Sequence, residues 1–183
     1  VSVLDSGAIA GGTTSRASGV VSTPAVYPDT PEWGDHAMAF FREFDGTGIF
    51  EFDERSRVQP VRPASEAAAR EHATRDGVEF LSADDVGERH PTVFRDLSDY
   101  AGVVEYRDAG LVDIEDYLFT MKHEAERHGA EFRPDTEVEA VRVEDGRVAG
   151  VRTAHGTVEA EHVVCAAGWG TRDLLADVVE LPM

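Results

Sequence analysis

The residues best suited to chemistry open the chain. Val1-Ser2-Val3-Leu4 alternates in the manner of a buried strand and runs into an acid, Asp5. Ser6 and Gly7 turn the chain, and small or hydroxylated residues follow at Gly11-Gly12-Thr13-Thr14-Ser15-Arg16-Ala17-Ser18-Gly19. A carboxylate at the C-terminal end of a parallel strand can accept hydrogen bonds from both hydroxyls of a ribose. That is why an acid closes the second strand of a dinucleotide-binding βαβ unit. Small side chains let backbone N–H groups approach phosphate oxygens closely, and the threonine and serine hydroxyls add donors. The same residues also read as a solvated turn acid and a flexible polar loop, so their chemistry depends on the elements that position them.

Those elements are a strand over Val1–Asp5 and a second strand near the other end of the sequence. Val163-Val164-Cys165-Ala166-Ala167-Gly168-Trp169-Gly170 reads as a short apolar strand running into small residues, with a helix expected from Thr171 to Asp177. Between them lie Gly110-Leu111-Val112-Asp113 before a long helical period, then Gly129-Ala130-Glu131-Phe132, then Thr136-Glu137-Val138.

Taken in this order, the stretches resemble the FAD-dependent amine and D-amino-acid oxidase family, which includes sarcosine-, glycine- and dimethylglycine-oxidising enzymes. The resemblance covers nearly the whole chain. It implies an α/β fold with α+β character: a Rossmann-like FAD domain of the glutathione-reductase type, and part of an antiparallel-sheet substrate domain. The FAD domain is expected over 1–46 and 112–183, without its first strand, and the substrate domain over 47–111. By the same resemblance the family's glycine turn would precede Val1 and the rest of the substrate domain would follow Met183, so the chain is expected to be a fragment.

The resemblance assigns cofactor contact to Asp5 and Ser6, to Thr13, Thr14, Ser15, Arg16, Ala17, Ser18 and Gly19, to Val138, and to Ala166, Ala167, Gly168 and Trp169. In the dimethylglycine and sarcosine dehydrogenase branch a histidine of the loop bonds covalently to the flavin. Arg16 stands at that place, so FAD is expected to be held non-covalently. Relatives that grip a substrate carboxylate place an arginine just after the loop, where this chain has Ser22. The implied reaction is hydride transfer to flavin from a small amine, an amino acid of the sarcosine, dimethylglycine or glycine kind, or a hydroxy acid. The implied partner is that small-molecule substrate. An alternative from a different class stays open: a catalytically inactive remnant or interaction module that binds FAD weakly or not at all.

No catalytic residue is assigned. Tyr106 and Arg107 have the chemistry to meet a carboxylate, though a strand-end pair of this kind is more often structural. The histidines show no metal spacing, since His123 and His128 fall on different faces of a helix and the others are isolated.

Composition limits the partners. Asp and Glu number 36 against 17 Lys and Arg, for a net charge of −19, and Lys122 is the sole lysine of the 183 residues. Such a field repels nucleic acid and anionic lipid. The acids are scattered, which reads as a salt-adapted (halophilic) surface more readily than as an acidic binding patch. Cys165 is the single cysteine and is expected to be a buried, inert thiol, so no intrachain disulfide forms and a cytoplasmic location is the simplest. No apolar run is long enough to span a membrane. An unpaired sheet edge is expected to favour a homo-oligomer.

The remaining periodicities are local. Val20 to Pro31 holds three prolines and reads as a connecting loop. Trp33, Ala37, Phe40, Phe41 and Phe44 predict a helix over 32–44, ended by Gly46 and Gly48. One or two strands are expected in 48–61, and a helix over 63–75 capped by Ser65. Val78–Leu81 predicts a strand before a capped short helix, and Val103–Tyr106 another strand. Ile114, Tyr117, Leu118, Met121 and Ala125 predict a helix from an Asp113 cap to His128. A hairpin is expected over 136–153 around Glu144-Asp145-Gly146, with a second tight turn at Ala154-His155-Gly156-Thr157.

Overall fold

The computed structural model describes residues 1–23, 27, 29–94 and 96–179. The chain forms a mixed α/β protein of two compact units, one from 1–16 with 121–183 and one from 17–120. By compactness, 17–46 and 112–120 pack with the middle block.

In the first unit β1 (Ser2–Leu4) pairs in parallel with β8 (Glu131–Arg133), Val3 opposite Phe132. A three-stranded antiparallel meander follows: β9 (Val138–Glu144), β10 (Arg147–Thr153) and β11 (Gly156–Glu159). Its first turn is a two-residue Asp145-Gly146 loop with φ of 50° and 75°. Positive φ at both central positions gives the strand-matched twist of a type I′ turn, which is the reason for Gly146. The second turn is held by the Thr153 hydroxyl, which donates to the Gly156 carbonyl and accepts from the His155 N–H.

The segment expected as a strand at Val163–Ala166 carries no ladder in the structure. Val164 is 91% exposed, and no described strand lies beside it to accept its backbone groups. Apolar composition supplies the propensity for a strand but not its partner. A 3₁₀ turn at Gly168–Gly170 then enters α5 (Thr171–Leu175), which packs on β9 and ends earlier than the predicted Asp177. In place of the buried thiol expected from sequence, Cys165 is only partly buried.

The second unit is built on one long pairing. β3 (Phe52–Glu54) and β4 (Arg57–Val61) run along β7 (Ala109–Val112) and β6 (Gly102–Tyr106) respectively, all antiparallel. β2 (Val20–Ser22) extends the β7 end, and β5 (Val78–Ser82) the β6 end. β2 lies where a connecting loop was expected; Pro24 and Pro28 of that stretch lie outside the described residues.

One face of the β2–β7–β3 sheet is covered by α1 (Pro31–Phe44). The predicted aromatic stripe does this: Met38, Phe50 and Phe52 are buried among Phe41, Phe44, Val21, Val112 and Tyr117, with ring centroids 5.4–6.4 Å apart across Phe41, Phe44, Phe50 and Phe52. Gly46 and Gly48, at φ of 76° and 58°, release the chain from this helix.

On the β4–β6–β5 sheet, α2 (Glu66–His72) covers Val61, Val78, Val104 and Tyr106. Ser65 makes no cap hydrogen bond, because Pro63–Ser65 is already wound as a 3₁₀ turn into the helix. α3 (Ala83–Arg89) covers the other face over Leu81 and Val103, and its capping box is complete: the Ser82 hydroxyl accepts from the Asp85 N–H while the Asp85 carboxylate accepts from the Ser82 N–H. α4 (Ile114–Arg127) starts where the Asp113 carboxylate accepts from the N–H groups of Glu115 and Asp116. It ends at Gly129 in a Schellman turn, the Ala130 N–H donating to the Ala125 carbonyl.

Glu79 and Glu105 face each other directly across β5 and β6, a like-charge pairing that is unfavourable by itself. Arg89 resolves it, with Nη1 2.8 Å from a carboxylate oxygen of each, and Arg107 adds a 2.6 Å contact to Glu79. Burial pushes the Glu105 carboxyl up, but hydrogen bonds from Ser56 and Arg89 and the nearby His90 and Arg89 charges outweigh it. Hydrogen bonds from Arg89 and then Arg107 pull Glu79 down to about 2. A depressed carboxyl pKa gives stability that is present above the unfolded value of 4.5 and is lost as pH falls toward about 2. Glu79→Gln should therefore flatten the acid limb of a urea-midpoint profile between those values. An unchanged slope would refute the role given to this pair.

Candidate functional site

Most of the residues proposed for cofactor contact belong to the first unit. Asp5 stands where expected, directly beyond the C-terminal end of β1, its N–H donating to the Arg133 carbonyl at 3.2 Å. Its carbonyl accepts from Thr136 at 2.7 Å, and the Gly7 carbonyl accepts from Asp135 at 3.1 Å. These bonds lace the end of β1 to the turn that leads into Val138. The Asp5 carboxylate is exposed; Oδ1 accepts from the Gly7 N–H at 2.9 Å. A strand end thus presents a carboxylate with an oxygen to spare, which fits a pair of ribose hydroxyls.

Ser6, Thr13 and Thr14 are exposed, and Thr14–Arg16 forms a 3₁₀ turn pinned by Arg16 N–H to the Thr13 carbonyl and by the Ser15 hydroxyl to the Gly12 carbonyl. The loop is therefore a structured turn. Arg16 is exposed and forms no ion pair among the described residues, so its charge is available to an anion. Ala166, Ala167, Gly168 and Trp169 are all exposed, Trp169 at 94%.

Ala17, Ser18 and Gly19 belong to the second unit. Gly19 is buried with φ of 69°, and its carbonyl accepts from Val112 at 3.0 Å. A Cβ there would lie 2.0 Å from the Val112 carbonyl oxygen. The glycine is demanded by the β2–β7 pairing, whatever it meets besides.

The second unit also settles two sequence alternatives. Tyr106 is a core residue, 6% exposed, and Arg107 pairs with Glu79 at the surface of the sheet. Ser22 is 4% exposed, and its hydroxyl has no partner among the described residues. A groove of about 400 Å³ lies between β4 and α2, lined by Gln59, Arg62, His72 and Tyr106 among others. Burial and then the Arg75 charge hold the His72 imidazole below its usual range. Among the described residues no group of three or more His, Cys, Asp or Glu is placed to hold a metal ion, and no helix is long and apolar enough to cross a membrane.

The family description "FAD dependent oxidoreductase" matches residues 1–183, the entire chain. The protein belongs to the FAD-dependent oxidoreductase family. Solved structures similar to this flavoprotein-family chain include glycine oxidase from Bacillus cereus ATCC 14579, at 26% identity and a TM-score of 0.75, over 97% of this chain and 52% of that one. L-proline dehydrogenase from P. horikoshii superposes with a TM-score of 0.86 at 16% identity, over 100% of this chain and 50% of that one. L-amino acid deaminase from Proteus myxofaciens gives 0.79 at 17% identity, over 100% and 43%. The family member described here thus spans about half the length of these structures. A sequence comparison with curated proteins gave no match.

Sequence reasoning did not single out Asp53 and Arg55 on β3 and beyond it, or the Glu79–Glu105–Arg89 cluster. A run of mixed charge, Asp53-Glu54-Arg55-Ser56-Arg57, was the available signal, but only the ladder register assigns Asp53 and Glu54 to opposite faces of β3.

Proposed function

We propose that the protein acts with non-covalently held FAD in the oxidation of a small amine, amino acid or hydroxy acid in the cytoplasm. The observation that carries this is the exposed Asp5 carboxylate at the end of a parallel strand, in a chain matched throughout by the FAD-dependent family. FAD, when bound, supplies the hydride acceptor. Asp5 would hold the adenosine ribose, and the turned 13–16 segment with Arg16 would meet the pyrophosphate. Val138 and 166–169 would pack on the cofactor. The functional partition we propose is 1–46 with 112–183 for FAD and 47–111 for substrate. The single cysteine is what favours a reducing compartment.

The test is purification of the polypeptide extended to the length of its structural neighbours. A yellow protein with equimolar flavin, released entirely by acid precipitation, is the expected result. Flavin that stays with the precipitate would overturn the non-covalent assignment at Arg16, and a colourless protein that takes up no added FAD would overturn the function. The inactive-remnant reading predicts that the 183-residue polypeptide itself binds FAD weakly or not at all, and a flavin absorbance band that survives gel filtration would overturn it.

The net charge of −19 leads us to infer a salt-adapted surface. Raising KCl from 0.1 to 1 M cuts the Debye length from about 10 to about 3 Å and should raise Tm by about 5 °C or more. A flat or falling Tm in a scanning calorimeter would count against it.

A further inference from the structure

Register puts Arg57, Gln59 and Val61 of β4 on the same face of the β4–β6–β5 sheet as Tyr106 and Val104 of β6 and Val78 of β5. α2 packs over the β5 side of that face, where Arg70 lies 4.0 Å from the centre of the Phe80 ring. The β4 side is left as the groove of about 400 Å³, floored by Val61, Val104 and Tyr106 and walled by Ala68 and Ala69 of α2.

The cations at this groove stand out from the rest of the chain. Nine arginines pair with carboxylates, whereas Arg57, Arg62 and Arg75 form no ion pair among the described residues. Arg57 lies 5.5 Å from the centre of the Tyr106 ring, and its Nη2 donates to the neutral Gln59 amide oxygen at 3.2 Å. The His72 imidazole meets the same ring at 5.7 Å. Burial raises the Tyr106 phenol, and the Arg57 and then the Arg75 charge oppose it; Arg75 is also the charge that acts on His72. Arg62 lines the far end, held 5.8 Å from the Tyr100 ring. α2 ends at His72, and a helix C-terminus favours a nearby cation, which accounts for His72 and Arg75 but not for Arg57 on the strand.

We propose that the groove between β4 and α2 binds a small organic phosphate monoester, its phosphate held by Arg57 and Arg75 with His72, and its apolar body laid on Val61 and Val104. A phosphate monoester carries about −1.5 to −2 charges at pH 7 and three strong acceptor oxygens. Guanidinium forks match those oxygens in charge and geometry. A carboxylate brings a single charge and would leave one guanidinium without an anion; an uncharged ligand would leave both. The net charge of −19 repels anions at a distance, so the gain comes only at close range, where these cations stand. The apolar floor adds affinity for an organic body that inorganic phosphate lacks. All of these residues belong to the second unit, and the site does not rest on the flavin reading.

The test follows backbone amide shifts of the 183-residue chain during titration at fixed ionic strength with phenyl phosphate, inorganic phosphate, phenylacetate and benzyl alcohol. Phenyl phosphate should shift Gln59, Val61, His72 and Tyr106 in a saturable manner. Arg57→Gln and Arg75→Gln should each weaken it about tenfold, the loss of one charge-assisted contact. Arg147→Gln, which removes the same charge from β10, should leave it unchanged. Phenylacetate and inorganic phosphate should each bind about tenfold more weakly, and benzyl alcohol should give no saturable shift. Ala68→Leu keeps every charge, sits on an exposed helix position and fills the groove, so it should abolish phenyl phosphate binding. That variant decides the matter where an arginine variant lowers the urea midpoint. Phenyl phosphate bound equally by the parent, both arginine variants and Ala68→Leu would overturn the proposal. Phenylacetate or inorganic phosphate bound as tightly as phenyl phosphate would overturn it too.

Discussion

Replacing Gly19 by alanine is expected to lower the unfolding free energy by about 4 kcal/mol, from left-handed backbone strain of about 1–2 and overpacking of about 1–3. The residue sits at φ of 69°, and the added methyl would lie 2.0 Å from the Val112 carbonyl oxygen. That oxygen is backbone inside the β2–β7 ladder and has no rotamer by which to move aside. The strand pair must part or the turn must rewind, and either course breaks the Val112 N–H bond to the Gly19 carbonyl. Gly12→Ala is the control, because nothing lies within 4 Å of its added Cβ. Urea unfolding measures both. A Gly19→Ala midpoint equal to that of Gly12→Ala would show that the pairing tolerates a side chain, and the glycine would then owe its place to the cofactor alone.

The second large effect concerns the cofactor, in the polypeptide of neighbour length. Asp5→Ala removes two charge-assisted hydrogen bonds to the ribose, each worth roughly 1.5–3 kcal/mol. The carboxylate no longer has to shed water on binding, which returns part of that, so a net loss of about 2 kcal/mol is expected. The affinity for FAD should fall about thirtyfold, at 1.4 kcal/mol per factor of ten. The structure adds a complication: Oδ1 also holds the Gly7 N–H, so alanine loosens the turn as well. Asp5→Asn separates the two effects, since its amide oxygen can keep the Gly7 bond while the charge is lost. Asp29→Ala, an exposed acid outside the motif, controls for net charge. A solvated turn acid would change affinity by less than about twofold. If Asp5→Ala binds FAD as tightly as Asp29→Ala does, the ribose assignment is wrong.

Local signals were legible in the sequence and pairings were not. The aromatic spacing from Trp33 to Phe44 gave α1 because a helix face is a property of residues three and four apart. Ser82 with Asp85 gave a capped helix, and Asp145-Gly146 a hairpin, because caps and tight turns are decided within four residues. β2 was hidden because three residues are too few for alternation to show. β7 was hidden because Gly110 reads as a turn residue, whereas it is there because the Phe52 ring, 2.4 Å from an added Cβ, occupies its side-chain space. Val163–Ala166 was overread for the converse reason: its composition suits a strand, but a strand exists only beside another. At the site, Asp5 was found because an acid closes a short run.

The parallel pairing of β1 with β8 bears on how the chain reaches its native state. Ser2 meets Glu131, so roughly 130 residues must be made and gathered before that ladder can close. The β9–β10–β11 meander has only two-residue turns to close and can zip early, whereas the β1 contact is among the longest in sequence and belongs to the slow end of folding. During synthesis the partner that Val1-Ser2-Val3-Leu4 finds in β8 therefore arrives only after the whole 17–120 unit has been produced. Chaperone capture or premature self-association should concentrate on this stretch in the nascent chain, and slowing translation before Glu131 should lengthen that exposure.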